Sequence, residues 1–320
     1  MSVSASAEAE REALLEAGWR QLPAAYRIPE RAPSLEQAQA YCRALAESHY
    51  ENFHVATWFL PKRLRPHFQS IYAYCRISDD LGDEVGNPAA SVALLDAWGE
   101  ELDACYRGEA RHPVFVALAE TIRICSIPKE PFADLLVAFR QDQTVMRYAS
   151  MPQVLEYCRY SANPVGRLVL YACGYRDAAL FTLSDYTCSA LQLANFWQDV
   201  VPDYRDRGRI YLPLEDMARF GVEERQIAER RFTPAFKALM EYEVAYADRM
   251  FVDGLPLLQR IDQELAVDIA LFSAGGREIL QAIVRQDYDV LRARPVISRR
   301  RKAALLLRAF MGRLLARSRA

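Results

Sequence analysis

Arg76-Ile77-Ser78-Asp79-Asp80-Leu81-Gly82-Asp83-Glu84 follows the apolar run Ile71-Tyr72-Ala73-Tyr74-Cys75. A second acidic stretch, Asn195-Phe196-Trp197-Gln198-Asp199-Val200-Val201-Pro202-Asp203, follows Leu191-Gln192-Leu193-Ala194. In both, oxygen-bearing side chains recur four residues apart within helix-patterned sequence, so each predicts a helix carrying one oxygen-lined stripe. Asp79 and Asp83 stand at i and i+4 with Asp80 beside them, and Asn195, Asp199 and Asp203 form an i, i+4, i+8 ladder. Hard divalent cations take oxygen ligands, and Mg2+ uses one or two carboxylates while keeping waters and phosphate oxygens. Two such stripes facing each other would hold divalent metal and diphosphate. Arg76, one turn earlier, is placed to clamp a phosphate oxygen or to neutralise the acidic pair. A short acidic run on a helix is ordinarily a solvated face; the apolar context argues against that here, because buried acids need partners.

Helical signals run through the rest of the chain. Ser34-Leu35-Glu36-Gln37 has the form of a capping box opening a helix to about Tyr50, and Pro61 starts another whose apolar face includes Leu64, Phe68, Ile71, Tyr72 and Cys75. Ser150 before Met151-Pro152 is an N-cap with proline in the first turn, and Asn163-Pro164 bends or breaks the helix that begins there. Pro202 removes an amide hydrogen within the second stripe, which predicts a distortion near Gln198. Thr233-Pro234 opens a long helix to about Phe251, and helices resume over 265–294 and 299–315. Residues 1–33, rich in Ala and Glu, read as a loose arm with a short helix around Leu14 and Trp19. No run alternates as a strand does. The expected fold is all-α, with one catalytic body over residues 34–294 and a basic helix over 295–320.

Formal net charge is only −2, yet it is unevenly spread: after Asp289 there is no acidic residue, while nine arginines and one lysine follow. Leu305, Leu306, Phe310 and Leu314 recur there at helical spacing. That pattern is either a helix lying on an anionic membrane surface or a last helix packed on the body with its arginines solvated. Nucleic acid is excluded as a partner, since basic and aromatic residues do not interleave elsewhere. The seven scattered cysteines show no paired metal-ligand spacing, and no secretory leader stands before them, so a reducing cytoplasm is the expected compartment. No apolar run reaches the roughly 18 residues a membrane span requires.

The pattern Tyr72-x-x-x-Arg76-x-x-Asp79-Asp80-x-x-Asp83, with Asn195-x-x-x-Asp199-x-x-x-Asp203 and the following Arg207-Gly208-Arg209-Ile210-Tyr211-Leu212-Pro213, resembles the squalene/phytoene synthase family over about residues 40–290. The resemblance implies an isoprenoid (terpenoid) synthase fold, a helical bundle around a central cavity. It also implies Mg2+-dependent ionisation of an allylic or cyclopropylcarbinyl diphosphate, with joining or rearrangement of prenyl chains. Asp79, Asp80, Asp83, Asn195, Asp199 and Asp203 would then hold Mg2+. His49 and Phe53 resemble the family's early substrate-site segment, Tyr157 in Tyr157-Cys158-Arg159-Tyr160 its active-site tyrosine, and Tyr288 a late tyrosine near the diphosphate. Arg76, Gln192 and Arg209 complete the expected substrate-binding set, and Tyr72 joins Tyr157 among the catalytic candidates. Without the resemblance a buried tyrosine would be ordinary core with its hydroxyl satisfied, and Phe53 and Trp197 are either cation-stabilising ring faces or core.

Two departures narrow the expectation. Many condensing members carry Ala-Gly-x-Val-Gly where this chain reads Ala162-Asn163-Pro164-Val165-Gly166, and many carry Arg where Gln198 stands. Both features resemble the bacterial hydroxysqualene-forming branch of hopanoid biosynthesis, which ionises presqualene diphosphate and lets water trap the cation. Asn163 is then either the group that holds that water or a cap of the break at Pro164. No glycine-rich dinucleotide fingerprint is present to supply hydride; Gly275-Gly276 lacks the spacing. The alternatives are a presqualene diphosphate or phytoene synthase and, more remotely, a non-catalytic lipid-binding or assembly factor. Neighbouring squalene-pathway enzymes are the expected partners.

Overall fold

The computed structural model describes residues 2–48 and 62–317, and among these every regular element is helical. One isolated bridge joins Arg147 and Ile210, and no β-strand occurs among the described residues. The chain divides into two compact units, Met1–Thr144 with Arg167–Tyr175, and Val145–Gly166 with Arg176–Ala320. None of the described helices is long and apolar enough to cross a membrane, and all seven cysteines are free thiols. His49 and Phe53 lie outside the described residues.

The first unit contains α1 (Ser2–Trp19), α2 (Leu35–Ser48), α3 (Arg65–Asp83), α4 (Pro88–Arg107), α5 (Pro113–Cys125) and α6 (Glu130–Gln141). The capping box before α2 forms as the sequence predicts: the Gln37 amide donates to Ser34 Oγ at 3.3 Å and the Ser34 amide to Gln37 Oε1 at 3.0 Å. Helix α3 starts later than expected, at Arg65, with Pro66 in its first turn. Its buried face is pinned from two sides. Tyr74 donates its hydroxyl to the Phe132 carbonyl at 2.7 Å, and the Trp98 indole donates to Ser78 Oγ at 3.0 Å. Trp98, Phe115 and Phe132 pack around Tyr74 with no exposed surface; each such side chain contributes about 1.5–3 kcal/mol by leaving water.

The N-terminal stretch is not a loose arm. It forms α1, a helix of 18 residues, and a short 3-10 turn at Ala24–Tyr26. Trp19, Leu22 and Tyr26 enter the same apolar cluster as Leu94 and Trp98. A Cβ on Gly18 would sit 2.6 Å from Leu94 Cδ1, so the missing side chain lets α1 lie close against α4. Apolar residues concentrated at one end anchor a helix whose remaining composition resembles a solvated tail.

The second unit opens with α7 (Met151–Ser161). Helix α8 (Asn163–Ala172) begins in this unit and runs into the first, and α9 (Ala178–Gln198) follows. Next come α10 (Val200–Arg207), α11 (Leu214–Phe220), α12 (Glu224–Ala228), α13 (Pro234–Gly254), α14 (Gln263–Arg285) and α15 (Arg299–Arg317). The break at Asn163-Pro164 is present, Ala162 separating α7 from α8. The Thr233 hydroxyl caps α13 by accepting from the Phe236 amide at 3.2 Å. Helix α14 ends at Arg285 rather than near Arg294, because Asp287 and Tyr288 take left-handed backbone angles, φ 54° and 65°.

Candidate active site: two carboxylate stripes

On α3, Tyr72, Arg76, Asp79 and Asp83 form a half-open stripe, while Ile71, Ala73, Tyr74, Ile77, Ser78, Leu81 and Gly82 around them are buried. The stripe therefore projects from a helix fixed on its other faces. Arg76 lies 3.7 Å from Asp79 Oδ2. Asp80 differs from its neighbours. It is buried, its Oδ2 accepts from Arg76 Nε at 3.1 Å and from the Tyr26 hydroxyl at 2.7 Å, and its Oδ1 accepts from Arg76 as well. Burial, and then the hydrogen bond to Asp80, push the Tyr26 hydroxyl well above the usual tyrosine range. Burial also raises Tyr72. Tyr26 had no signal in the sequence, since it reaches Asp80 across 54 positions.

The second stripe is interrupted where the sequence predicts it. Helix α9 stops at Gln198, Asp199 sits outside helical geometry at φ −107°, ψ 19°, and α10 begins at Val200. The Pro202 ring clashes with the carbonyl four residues back, which is that of Gln198. Backbone bonds from Asp199 to Asn195 and from Asp203 to Asp199, both 2.9 Å, keep the three oxygen-bearing residues in helical succession across the break. Gln192 shares the face of Asn195 one turn earlier and is half-buried; Asn195 is exposed. Arg294 donates through Nε to Asp199 Oδ1 and through a terminal nitrogen to Oδ2 at 2.9 Å. That hydrogen bond and the Asp199 charge raise the arginine pKa further.

Gly208 ends α10 at φ 65°, and the Arg209 amide turns back to the Asp203 carbonyl at 3.0 Å. Arg209 is buried. Its neighbour Ile210 donates to the Met146 carbonyl at 3.0 Å, which sets Tyr211 face to face with Phe196, ring centroids 3.7 Å apart. Tyr148 and Tyr157 complete a cluster of four buried aromatic rings, with Tyr157 5.7 Å from Tyr211 and 6.1 Å from Phe196. Trp197 is fully buried beside them. Asn163 is also buried, and Ser189 Oγ donates to its Oδ1 at 2.8 Å. A Cβ at Gly166 would collide with the side chains of Ser184 and Cys188, so α8 and α9 approach closely where Asn163 meets Ser189. Tyr288 is half-buried, and burial raises its hydroxyl pKa.

Aspartates and an asparagine spaced one turn apart are hard oxygen donors, the type that Mg2+ takes in preference to softer metals, although among the described residues no three His, Cys, Asp or Glu side chains converge into a metal-holding group. Arg76 on the first stripe and Arg294 beside the second put a guanidinium, a phosphate-binding group, next to each set of carboxylates.

The family model for squalene/phytoene synthase matches residues 46–301. The hydroxysqualene synthase of Rhodopseudomonas palustris is 32% identical over 239 residues, covering 74% of this chain and 80% of that protein. The 15-cis-phytoene synthase of Synechococcus elongatus is 29% identical over 291 residues, 87% of this chain and 94% of that one. Among solved structures, the squalene synthase HpnC from Alicyclobacillus acidocaldarius is 45% identical, with a TM-score of 0.76 over 79% of this chain and 95% of that chain. A dehydrosqualene synthase solved with a ligand is 28% identical, with a TM-score of 0.77 over 87% and 96%. The all-helical fold is that of the isoprenoid synthases, and the chain belongs to the squalene/phytoene synthase family of enzymes.

Proposed function

We propose that this enzyme is a hydroxysqualene synthase, converting presqualene diphosphate and water to hydroxysqualene and diphosphate. Asp79 and Asp83 on the first stripe, and Asn195, Asp199 and Asp203 on the second, are the residues that would hold Mg2+. Metal held by these carboxylates would supply positive charge to the diphosphate leaving group and so lower the cost of ionisation. Arg76, Arg209, Gln192 and Tyr288 bind the substrate's polar end. Asp80 works as a positioning residue, tying Arg76 to Tyr26 rather than facing metal. Tyr157, backed by Tyr148, Phe196 and Tyr211, presents ring faces to the cation, and Tyr72 lies on the first stripe beside Arg76.

The observation that favours water capture over condensation is Asn163. The bond from Ser189 fixes its amide, and Oδ1, with two lone pairs, can accept a second hydrogen from a water whose own oxygen then faces the cation. Likeness to a hydroxysqualene synthase supports the same reading. The likeness to a phytoene synthase over a longer stretch supports a second one, condensation of two prenyl diphosphates. We further propose peripheral membrane contact through α15. Leu305 and Gly312 line a cleft against Val267 and Leu271 of α14, while Leu307, Phe310 and Met311 are exposed among arginines.

Product analysis by gas chromatography and mass spectrometry separates these readings. Purified protein with Mg2+ is given presqualene diphosphate or farnesyl diphosphate, with and without EDTA. Hydroxysqualene from presqualene diphosphate, lost with EDTA, is expected. Presqualene diphosphate formed from farnesyl diphosphate would instead establish the condensing reading.

A further inference from the structure

We propose that Arg294 is a removable counter-cation of the second acidic stripe: it holds Asp199 while no metal is bound, and releases that carboxylate when Mg2+ arrives together with diphosphate. The proposal rests on the reading of Asp199 as a metal ligand. Arg294 contacts both oxygens of Asp199, the stronger two-pronged form of an arginine–carboxylate pair. The same guanidinium donates to Gln198 Oε1 at 3.2 Å, and Gln198 Nε2 donates to the Pro295 carbonyl at 2.5 Å. Residues 294 and 295 are thereby tied to the turn that carries Asp199. The Asp199 side chain is 13% exposed and that of Arg294 48%, so the carboxylate is largely covered while its partner has open space to move into.

Metal and arginine compete for Asp199 on two counts. The oxygens that a cation needs already accept from nitrogen, and two positive groups on one largely covered carboxylate repel. Mg2+ alone must expel Arg294 with no anion to receive it. Diphosphate changes the balance, because its oxygens accept the released guanidinium and separate the like charges. Metal loading of this stripe is thus conditional on diphosphate. Gln198 contributes to the device by being uncharged: the guanidinium at Asp199 comes from the segment between α14 and α15 rather than from the helix itself.

Calorimetric titration of the full chain with Mg2+ alone, and with inorganic pyrophosphate in the presence of Mg2+, tests this. Wild type, Arg294→Gln, Arg294→Lys and Asp199→Ala are compared after circular dichroism has established native helicity. A charge at this range shifts such an equilibrium by about one to three powers of ten. Arg294→Gln is therefore expected to bind Mg2+ alone about tenfold or more tighter, and pyrophosphate with Mg2+ about tenfold or more weaker. Arg294→Lys, which keeps charge but loses the second prong, falls between. An arginine that only braces the fold moves both affinities the same way or neither, and that result would overturn the proposal. If Arg294→Gln is misfolded, Gln198→Ala cuts the tether while keeping the charge, and Mg2+ alone must again bind more tightly. Asp199→Ala separates the two failures. If it binds Mg2+ with pyrophosphate as wild type does, the metal role of Asp199 falls; if it loses metal while Arg294→Gln matches wild type, only the role of Arg294 falls.

Discussion

Glu243 on α13 has no exposed surface, and neither of its carboxyl oxygens has a hydrogen-bond partner in the unprotonated form. Burial first, and then the nearby charge of Asp216 on α11, push its pKa up to about 8. Asp216 is itself raised, by burial and then by Glu215, with Arg219 opposing. A pKa of about 8 leaves Glu243 holding its proton at neutral pH. In the unfolded chain Glu243 titrates near its ordinary value of 4.5. Between that value and about 8 the native state therefore holds a proton that the unfolded state has lost. Stability from this group is complete below the unfolded value, declines as pH rises through the window, and is exhausted above about 8. Three and a half pH units at about 1.4 kcal/mol each amount to about 5 kcal/mol. Glu243→Gln is neutral throughout and keeps the shape, so its urea-melt stability relative to wild type should improve by several kcal/mol between pH 5 and pH 9. Taking the difference between the two proteins cancels every other titrating group. Parallel pH profiles for the two, agreeing within about 1 kcal/mol, would refute the buried-acid argument.

Tyr26→Phe removes a hydroxyl from the buried Asp80 without changing shape, and should cost about 1.5–3 kcal/mol in denaturant melts, the worth of a hydrogen bond to a charged group. Asn163→Ala should still consume presqualene diphosphate while the product shifts from alcohol to rearranged hydrocarbon, read by gas chromatography. Co-sedimentation with vesicles rich in anionic lipid should weaken at least about tenfold in the double variant Leu307→Glu/Phe310→Glu, because two apolar side chains worth about 1.5–3 kcal/mol each can no longer enter the interface.

What the sequence disclosed was local. The Ser34–Gln37 box, the Thr233 cap and the break before Pro202 depend on neighbours within four residues, and all three formed as the spacing dictated. Tyr72, Arg76, Asp79 and Asp83 could be placed on one face because helical periodicity alone decides that. What stayed hidden depends on distant partners. Nothing near Asp80 announced that Tyr26 would take its Oδ2, and nothing near Asp199 announced Arg294, 95 positions later. Such pairings arise only once packing has brought the elements together. The stack of Phe196 on Tyr211 was hidden too, because which ring the segment after Gly208 delivers to which depends on the packed helices. Helix α1 was misjudged because composition averages over Trp19, Leu22 and Tyr26, the residues that dock it.

The central claim, that water ends the reaction, is tested most directly by running the enzyme with presqualene diphosphate and Mg2+ in water enriched in oxygen-18 and reading the product by mass spectrometry. Hydroxysqualene carrying the heavy oxygen is the expected result. An unlabelled alcohol, or a hydrocarbon with no oxygen, would contradict it.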